Sequence, residues 1–240
     1  MRWVLGILAT FCAAGCATES SVMLPENLRA AMRQDATAVL FTDDVGQIRY
    51  IWGRFNTPGG NRLDRIARYD GTWDPGPDVT AIHAAELAKL GFQAKSVYEI
   101  LEPTGIAALT AAGRENRDKD YEIIPIISPA LSEALIQKGQ RYLFWVTWSG
   151  LQYFHPTLPV TCTEEINSSY WLFDLRTRAL VWSGGLADIR DSTFKYADAT
   201  TRLEANDFAG FKRLAEERYR LAYRQEEDSV PWLLGLVSKQ

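Results

Sequence analysis

Apolar positions fall into three patterns along this chain, and each predicts a different kind of element. The first is an almost unbroken apolar run from Trp3 to Ala14 behind a single basic residue, Arg2. About a dozen residues is the length of a secretory h-region, and it is short of the roughly 20 needed to cross a bilayer as a helix. The second pattern is strand-like. TAVLFT (Thr37 to Thr42) is a β-favouring apolar segment, and QIRYIWG (Gln47 to Gly53) alternates so that Ile48, Tyr50 and Trp52 share one face. The two are expected to form a hairpin about Asp43-Asp44-Val45-Gly46. Phe92 to Val97 reads as a further strand, and Arg141 to Trp148 is apolar on both faces, as in a central strand covered on two sides. Ser169 to Leu175 and Leu180 to Gly184, joined by Arg176-Thr177-Arg178, read as a second hairpin.

The third pattern is helical. Asn27 to Arg33 is a short segment of this kind. Asp78 is placed to cap a helix from Val79 to Leu90 ended by Gly91, with Val79, Ile82, His83, Leu87 and Leu90 on one face. Thr104 to Ala112 is a small-residue helix. The clearest signals are Ser128 as N-cap, Pro129 at N1 and Gly139 past the end. Asp207 to Tyr223 is amphipathic, with Phe208, Phe211, Leu214, Ala215, Leu221 and Ala222 inward. Phe55 to Pro77 and Gly150 to Asn167 read as long connections, and long connections tend to be functional. After Pro231 comes an apolar tail, Trp232 to Val237.

Strands interleaved with helices predict an α/β (α+β) fold: a single layered domain whose mixed sheet contains antiparallel hairpins and packs against helices. Residues 1–15 are expected to be a signal peptide, 16–36 a lipidated Cys with its tether, 37–225 the domain and 226–240 the apolar tail.

Composition narrows the class. The chain is 47% hydrophobic and 23% charged, which is globular and not disordered. Its net charge of −4, from 26 Lys+Arg and 30 Asp+Glu, leaves no basic excess for nucleic acid or for peripheral binding to anionic lipid. Loss of a signal containing Arg2 would make the body more acidic still. Beyond Cys16 the sole cysteine is Cys162, so the mature chain has no internal disulfide.

Catalytic signatures are sparse. No G-x-S-x-G elbow occurs, and the only imidazoles are His83, on an apolar helix face, and His155, in a Pro-rich connection near Cys162. His83 reads as a packed, hydrogen-bonded side chain. A Cys162/His155 pair is the one nucleophile arrangement to weigh, against Cys162 as a small core residue. Neither C-x-x-C nor H-x-x-x-H is found. Asn116, Asp118, Asp120 and Glu122 echo half a calcium loop, but Tyr121 stands where the turn needs Gly and Ile127 where a bidentate Glu belongs. The paired carboxylates Asp43-Asp44 and Glu164-Glu165 are accounted for by turn and surface roles. No cofactor or metal is implied. Arg62 and Trp73, in the first long connection, and Trp232, Leu233 and Leu234, in the tail, are the candidate partner contacts, since exposed Trp and Leu resemble interface anchors.

Ala13-Ala14-Gly15-Cys16 resembles the bacterial lipobox, in which small residues precede a Cys that is lipidated on sulfur and becomes the mature amino terminus. Ordinary signal cleavage after Gly15 is the alternative. In the sorting rule of Gram-negative lipoproteins, Ala17 in place of Asp implies the periplasmic face of the outer membrane. The segment Tyr170 to Gly184, with Asp174, Thr177, Val181 and Trp182, resembles a strand-turn-strand recurrent in envelope lipoproteins. The outline is similar to lipoproteins whose α/β domain is like the amino-terminal domain of TolB, including penicillin-binding-protein activators and the curli-secretion type. That resemblance implies a non-enzymatic adaptor or assembly factor with an envelope-protein partner and homo-oligomerisation as an option. A cell-envelope hydrolase and a small-ligand-binding lipoprotein are the competing classes.

Overall fold

The computed structural model describes residues 23–43, 49–54, 62–68, 73–102, 106, 125–154, 161–186, 193–195, 205–227 and 229–237. Eight strands form one sheet: β1 (Thr37–Asp43), β2 (Arg49–Arg54), β3 (Arg62–Arg68), β4 (Ala94–Ser96), β5 (Tyr142–Phe154), β6 (Thr161–Asp174), β7 (Ala179–Leu186) and β8 (Thr193–Lys195). The described helices are α1 (Glu26–Gln34), α2 (Pro75–Lys89), α3 (Val97–Ile100), α4 (Pro129–Gln137), α5 (Ala205–Leu221) and α6 (Val230–Leu233).

The long antiparallel pair β5–β6 is the axis of the sheet, running from Tyr142↔Asp174 to Phe154↔Thr163 with a register shift between Trp148 and Leu151. β1 lies parallel to the first half of β5 (Thr37↔Tyr142 to Asp43↔Trp148), and β2 meets the second half at Arg49↔Gln152, also parallel. Because β6 occupies the other edge of β5 along its whole length, β1 and β2 must lie end to end on the same edge. β4 flanks β1 and β3 flanks β2, while β7 and β8 flank successive parts of β6. The eight strands therefore fill five positions across the sheet.

This overturns the expected β1–β2 hairpin: among the described residues β1 pairs with β4 and β5, both parallel. The physical reason lies in β1 itself. Ala38, Val39, Leu40 and Phe41 are all at most 1% exposed, so both faces are covered, the property of a central parallel strand. The two long connections are corrected as well. The first contains β3, and the second is largely the outer halves of β5 and β6. The strand expected over Phe92 to Val97 is shorter, with Ser96 turning the chain into α3 by accepting a hydrogen bond from the Tyr98 amide at 3.2 Å. The expected helix Thr104 to Ala112 lies outside the described residues apart from Ile106, as do the Asp43–Gly46 turn beyond Asp43 and the side chains of Phe208, Phe211 and Leu214.

Alternation along the strands divides two cores. Val39, Phe41, Tyr142, Phe144, Val146, Tyr170, Leu172 and Trp182 face α1, α2, α5 and α6. Ala38, Leu40, Leu143, Trp145, Phe173 and Leu175 face α3 and α4, with Ile106 and Ile127. The result is a helix–sheet–helix sandwich, and the expected α/β layering with a mixed sheet is what the chain adopts. On the second face the indoles of buried Trp145 and partly buried Trp171 are each satisfied by a threonine one strand away. Trp145 Nε1 donates to Thr42 Oγ1 and Trp171 Nε1 to Thr147 Oγ1, both at 2.9 Å.

The helix signals were sound at the C-terminal ends. Gly91 and Gly139 have φ of +87° and +79°, and each closes its helix with the paired 6→1 and 5→2 bonds of a Schellman motif. Ser128 Oγ accepts from the Leu131 amide at 3.1 Å, as its N-cap reading requires. One cap is corrected: α2 begins four residues earlier, its N-cap being Asp74, which accepts from the Gly76 amide at 2.9 Å. Pro75 and Pro77 fit the first turn, where no amide is needed, so what resembles a breaker is a start signal.

Candidate functional site

Three clusters on the α1/α2/α5/α6 side carry the polar chemistry of the described residues. The deepest is built on His83, which α2 points into the core one turn after Thr80, whose Oγ1 accepts the Phe41 amide of β1 at 2.9 Å. His83 is fully buried, and its Nδ1 lies 2.6 Å from the Tyr223 hydroxyl at the end of α5. The rings of Phe41, Tyr170, Tyr219 and Tyr223 surround it with centroids 5.4–6.5 Å away. Nε2 meets no hydrogen-bonding partner among the described residues. Burial holds His83 down to about 3, so it is neutral at physiological pH, and burial likewise pushes the Tyr170 and Tyr223 hydroxyls up. The packed, hydrogen-bonded reading of His83 fits this placement. Its aromatic partners were missed, although the i, i+4 pair Tyr219 and Tyr223 continues the inward stripe of Ala215 and Ala222 and could have revealed them.

The second cluster ties the start of α2 to α5. Trp73 Nε1 donates to Asp78 Oδ2 at 2.8 Å, and Lys212 Nζ approaches the same oxygen at 2.7 Å while lying 5.7 Å from the Trp73 ring centre. The Lys212 hydrogen bond holds the Asp78 carboxyl below its ordinary value against a partial burial that opposes it. Trp73 is partly buried against the core, not freely projecting. Asp78 is thus an inter-helix tie, not the cap it resembles in sequence.

The third cluster fastens the two ends of the body together. The Leu24 amide donates to the Leu233 carbonyl at 2.7 Å. Arg29 Nη1 donates to the Leu234 carbonyl at 3.2 Å and also to that of Gly235. Gly235, at φ +68°, ends α6 in another Schellman motif, and a Cβ there would collide with the Arg29 guanidinium.

Trp232, Leu233 and Leu234 lie inside this arrangement at 9%, 0% and 0% exposure, which corrects their assignment as surface contacts. Burying two leucines and an indole stabilises by roughly 1.5–3 kcal/mol each, far more than exposure in a tail would allow. The missed signal is Ser229-Val230-Pro231, an N-cap followed by an early-turn proline: Ser229 Oγ accepts from the Trp232 amide at 3.3 Å. Arg62 falls in β3, paired with Arg54, and its side chain lies outside the description. Cys16 and His155 are outside the described residues, and Cys162 is placed only as backbone opposite Phe194. Among the described residues no group of three or more His, Cys, Asp or Glu side chains could hold a metal, and no helix is long and apolar enough to cross a membrane.

No family model matches the chain, and no curated protein matches it. Solved structures do show a likeness. A PelC dodecamer from Paraburkholderia phytofirmans is 14% identical at a TM-score of 0.37, with 87% of this chain and 91% of that one covered. Lipoprotein GNA1162 from Neisseria meningitidis is 14% identical at a TM-score of 0.33, covering 76% and 93%. The LpoB C-terminal domain from Salmonella enterica is 11% identical at a TM-score of 0.28, covering 70% and 93%. At these values no residue role is transferred from any of them.

Proposed function

We propose that this chain is a lipid-anchored protein of the bacterial envelope, held through Cys16 at the periplasmic face of the outer membrane, that works by docking to other envelope proteins and not by catalysis. The observation that carries the non-enzymatic half is the sealing of His83. Among the described residues, the side chains whose protonation is most displaced, His83, Tyr170 and Tyr223, are buried and clustered together, so their displacement reports packing and offers nothing to a substrate. The anchoring half is supported by the Ala13-Ala14-Gly15-Cys16 run, eight residues ahead of Leu24 in the core. Arg62 and Trp73 are the positions from which docking is to be sought.

Photo-crosslinking in cells from positions 62 and 73, combined with mass spectrometry of the mature amino terminus, tests both halves. A diacylglyceryl-modified Cys16 and a discrete captured envelope protein, or a second copy of this chain, are expected. An amino terminus at Cys16, or elsewhere, without acyl groups refutes the anchor. Crosslinks to lipid alone from both positions refute the docking role.

A further inference from the structure

We propose that the corner where α1 meets α6 is the face this protein turns toward the lipid surface, an inference that rests on Cys16 being the lipidated residue. The argument is one of reach. Leu24 is the first core residue among those described, 3% exposed and bonded through its amide to Leu233. Eight residues separate Cys16 from it, and fully extended they span at most about 29 Å. By contrast, β5 alone, from Tyr142 to Phe154, is about 40 Å long. The tether is therefore shorter than the molecule it holds, and the point of attachment dictates which side lies near the bilayer.

That point is not a loose end. Arg29 grips the carbonyls of Leu234 and Gly235, so the start of α1 and the end of α6 are fastened into one piece where the chain from Cys16 enters. The lipid side thus includes exposed Met23 and Asn27, whereas exposed Glu133 on α4 lies across the sheet, two layer spacings or about 20 Å further away.

The test uses the mature acylated protein with Cys162→Ser, so that an introduced thiol is the only free one. A donor dye is placed by Asn27→Cys or by Glu133→Cys, and the protein is reconstituted in phosphatidylethanolamine/phosphatidylglycerol vesicles carrying a headgroup acceptor. Energy transfer should be greater from position 27 than from 133. The difference should vanish when about 35 Gly/Ser residues are inserted between Ser20 and Ser21, since such a linker averages roughly 35 Å. Equal transfer, or greater transfer from 133, with acylation confirmed by mass spectrometry, overturns this orientation and leaves the anchor standing. Absence of the acyl group or failure to float with the vesicles overturns both. Transfer from position 27 that is low and falls as protein density on the vesicle rises would put a second copy on the corner, and it too overturns the proposal.

Discussion

His83 Nδ1 and the Tyr223 hydroxyl, 2.6 Å apart, join α2 to the chain just beyond α5 inside a largely apolar core. Burial holds the folded His83 to about 3, against 6.5 when exposed. Between those values the unfolded chain binds a proton that the folded chain refuses. Stability from this group is therefore fully present above about pH 6.5 and is lost as pH falls, by up to about 1.4 kcal/mol per pH unit. Urea midpoints should drop by about 2 kcal/mol-equivalent from pH 7.5 to 5.0, and His83→Phe should flatten much of that slope. An unchanged slope in the variant would transfer the effect to other groups.

Arg141 and Asp174 meet in a two-pronged pair, Nη1 to Oδ1 at 2.7 Å and Nη2 to Oδ2 at 2.6 Å, where β5 begins and β6 ends. Asp174 Oδ1 also accepts the amides of Arg176 and Thr177, at 2.9 and 3.3 Å, which closes the turn into β7. The pair is partly solvated, so its worth is discounted. Asp174→Ala should cost about 1–2 kcal/mol because it takes both the pair and the turn. Arg141→Ala should cost less, about 0.5–1 kcal/mol, since the turn amides keep their acceptor. Chemical denaturation of the two variants reads the order directly, and the reverse order would refute the turn's share.

Trp232→Ala should destabilise by about 3–5 kcal/mol through lost burial and the cavity left behind. Gly235→Ala should cost at least about 1 kcal/mol, because alanine pays for the positive φ and its methyl displaces Arg29. Thermal unfolding decides this, and a silent Trp232→Ala would return the tail to the surface.

Lys212→Met removes the cation shared by Asp78 and the Trp73 ring. The site is about two-fifths exposed on both charged partners, so the cost should stay below about 1 kcal/mol and shrink in high salt. Titration of Asp78 followed by NMR should show its carboxyl moving up toward the ordinary value in the variant.

Much of this architecture was legible in the sequence because local chemistry and tertiary packing agree there. Ser128, Pro129 and Gly139 bracket α4, and Arg176-Thr177-Arg178 marks the β6–β7 turn, where Arg178 takes φ +58°. The doubly apolar Arg141 to Trp148 lies at the centre of the sheet. Pairing was not legible where it is non-local. Thr37 to Thr42 neighbours a strand more than a hundred residues away, and nothing near it in sequence says so. Prolines misled: Pro75, Pro77 and Pro231 lie in the first turns of helices where the sequence reads as a break. Of the candidate site, His83 was legible from its apolar face. Its tyrosine surround was legible only through the Tyr219/Tyr223 pair that continues the inward stripe of α5, and the clasp at Leu24 was not, since it joins segments from opposite ends of the chain.

The clasp also orders events during synthesis. Arg29 and Leu234 are 205 positions apart, so α1 cannot acquire its final neighbours until α6 has been made. Closing that seam is a late step of folding, and the apolar faces of α1 and α6 wait for each other until the chain between them has been made.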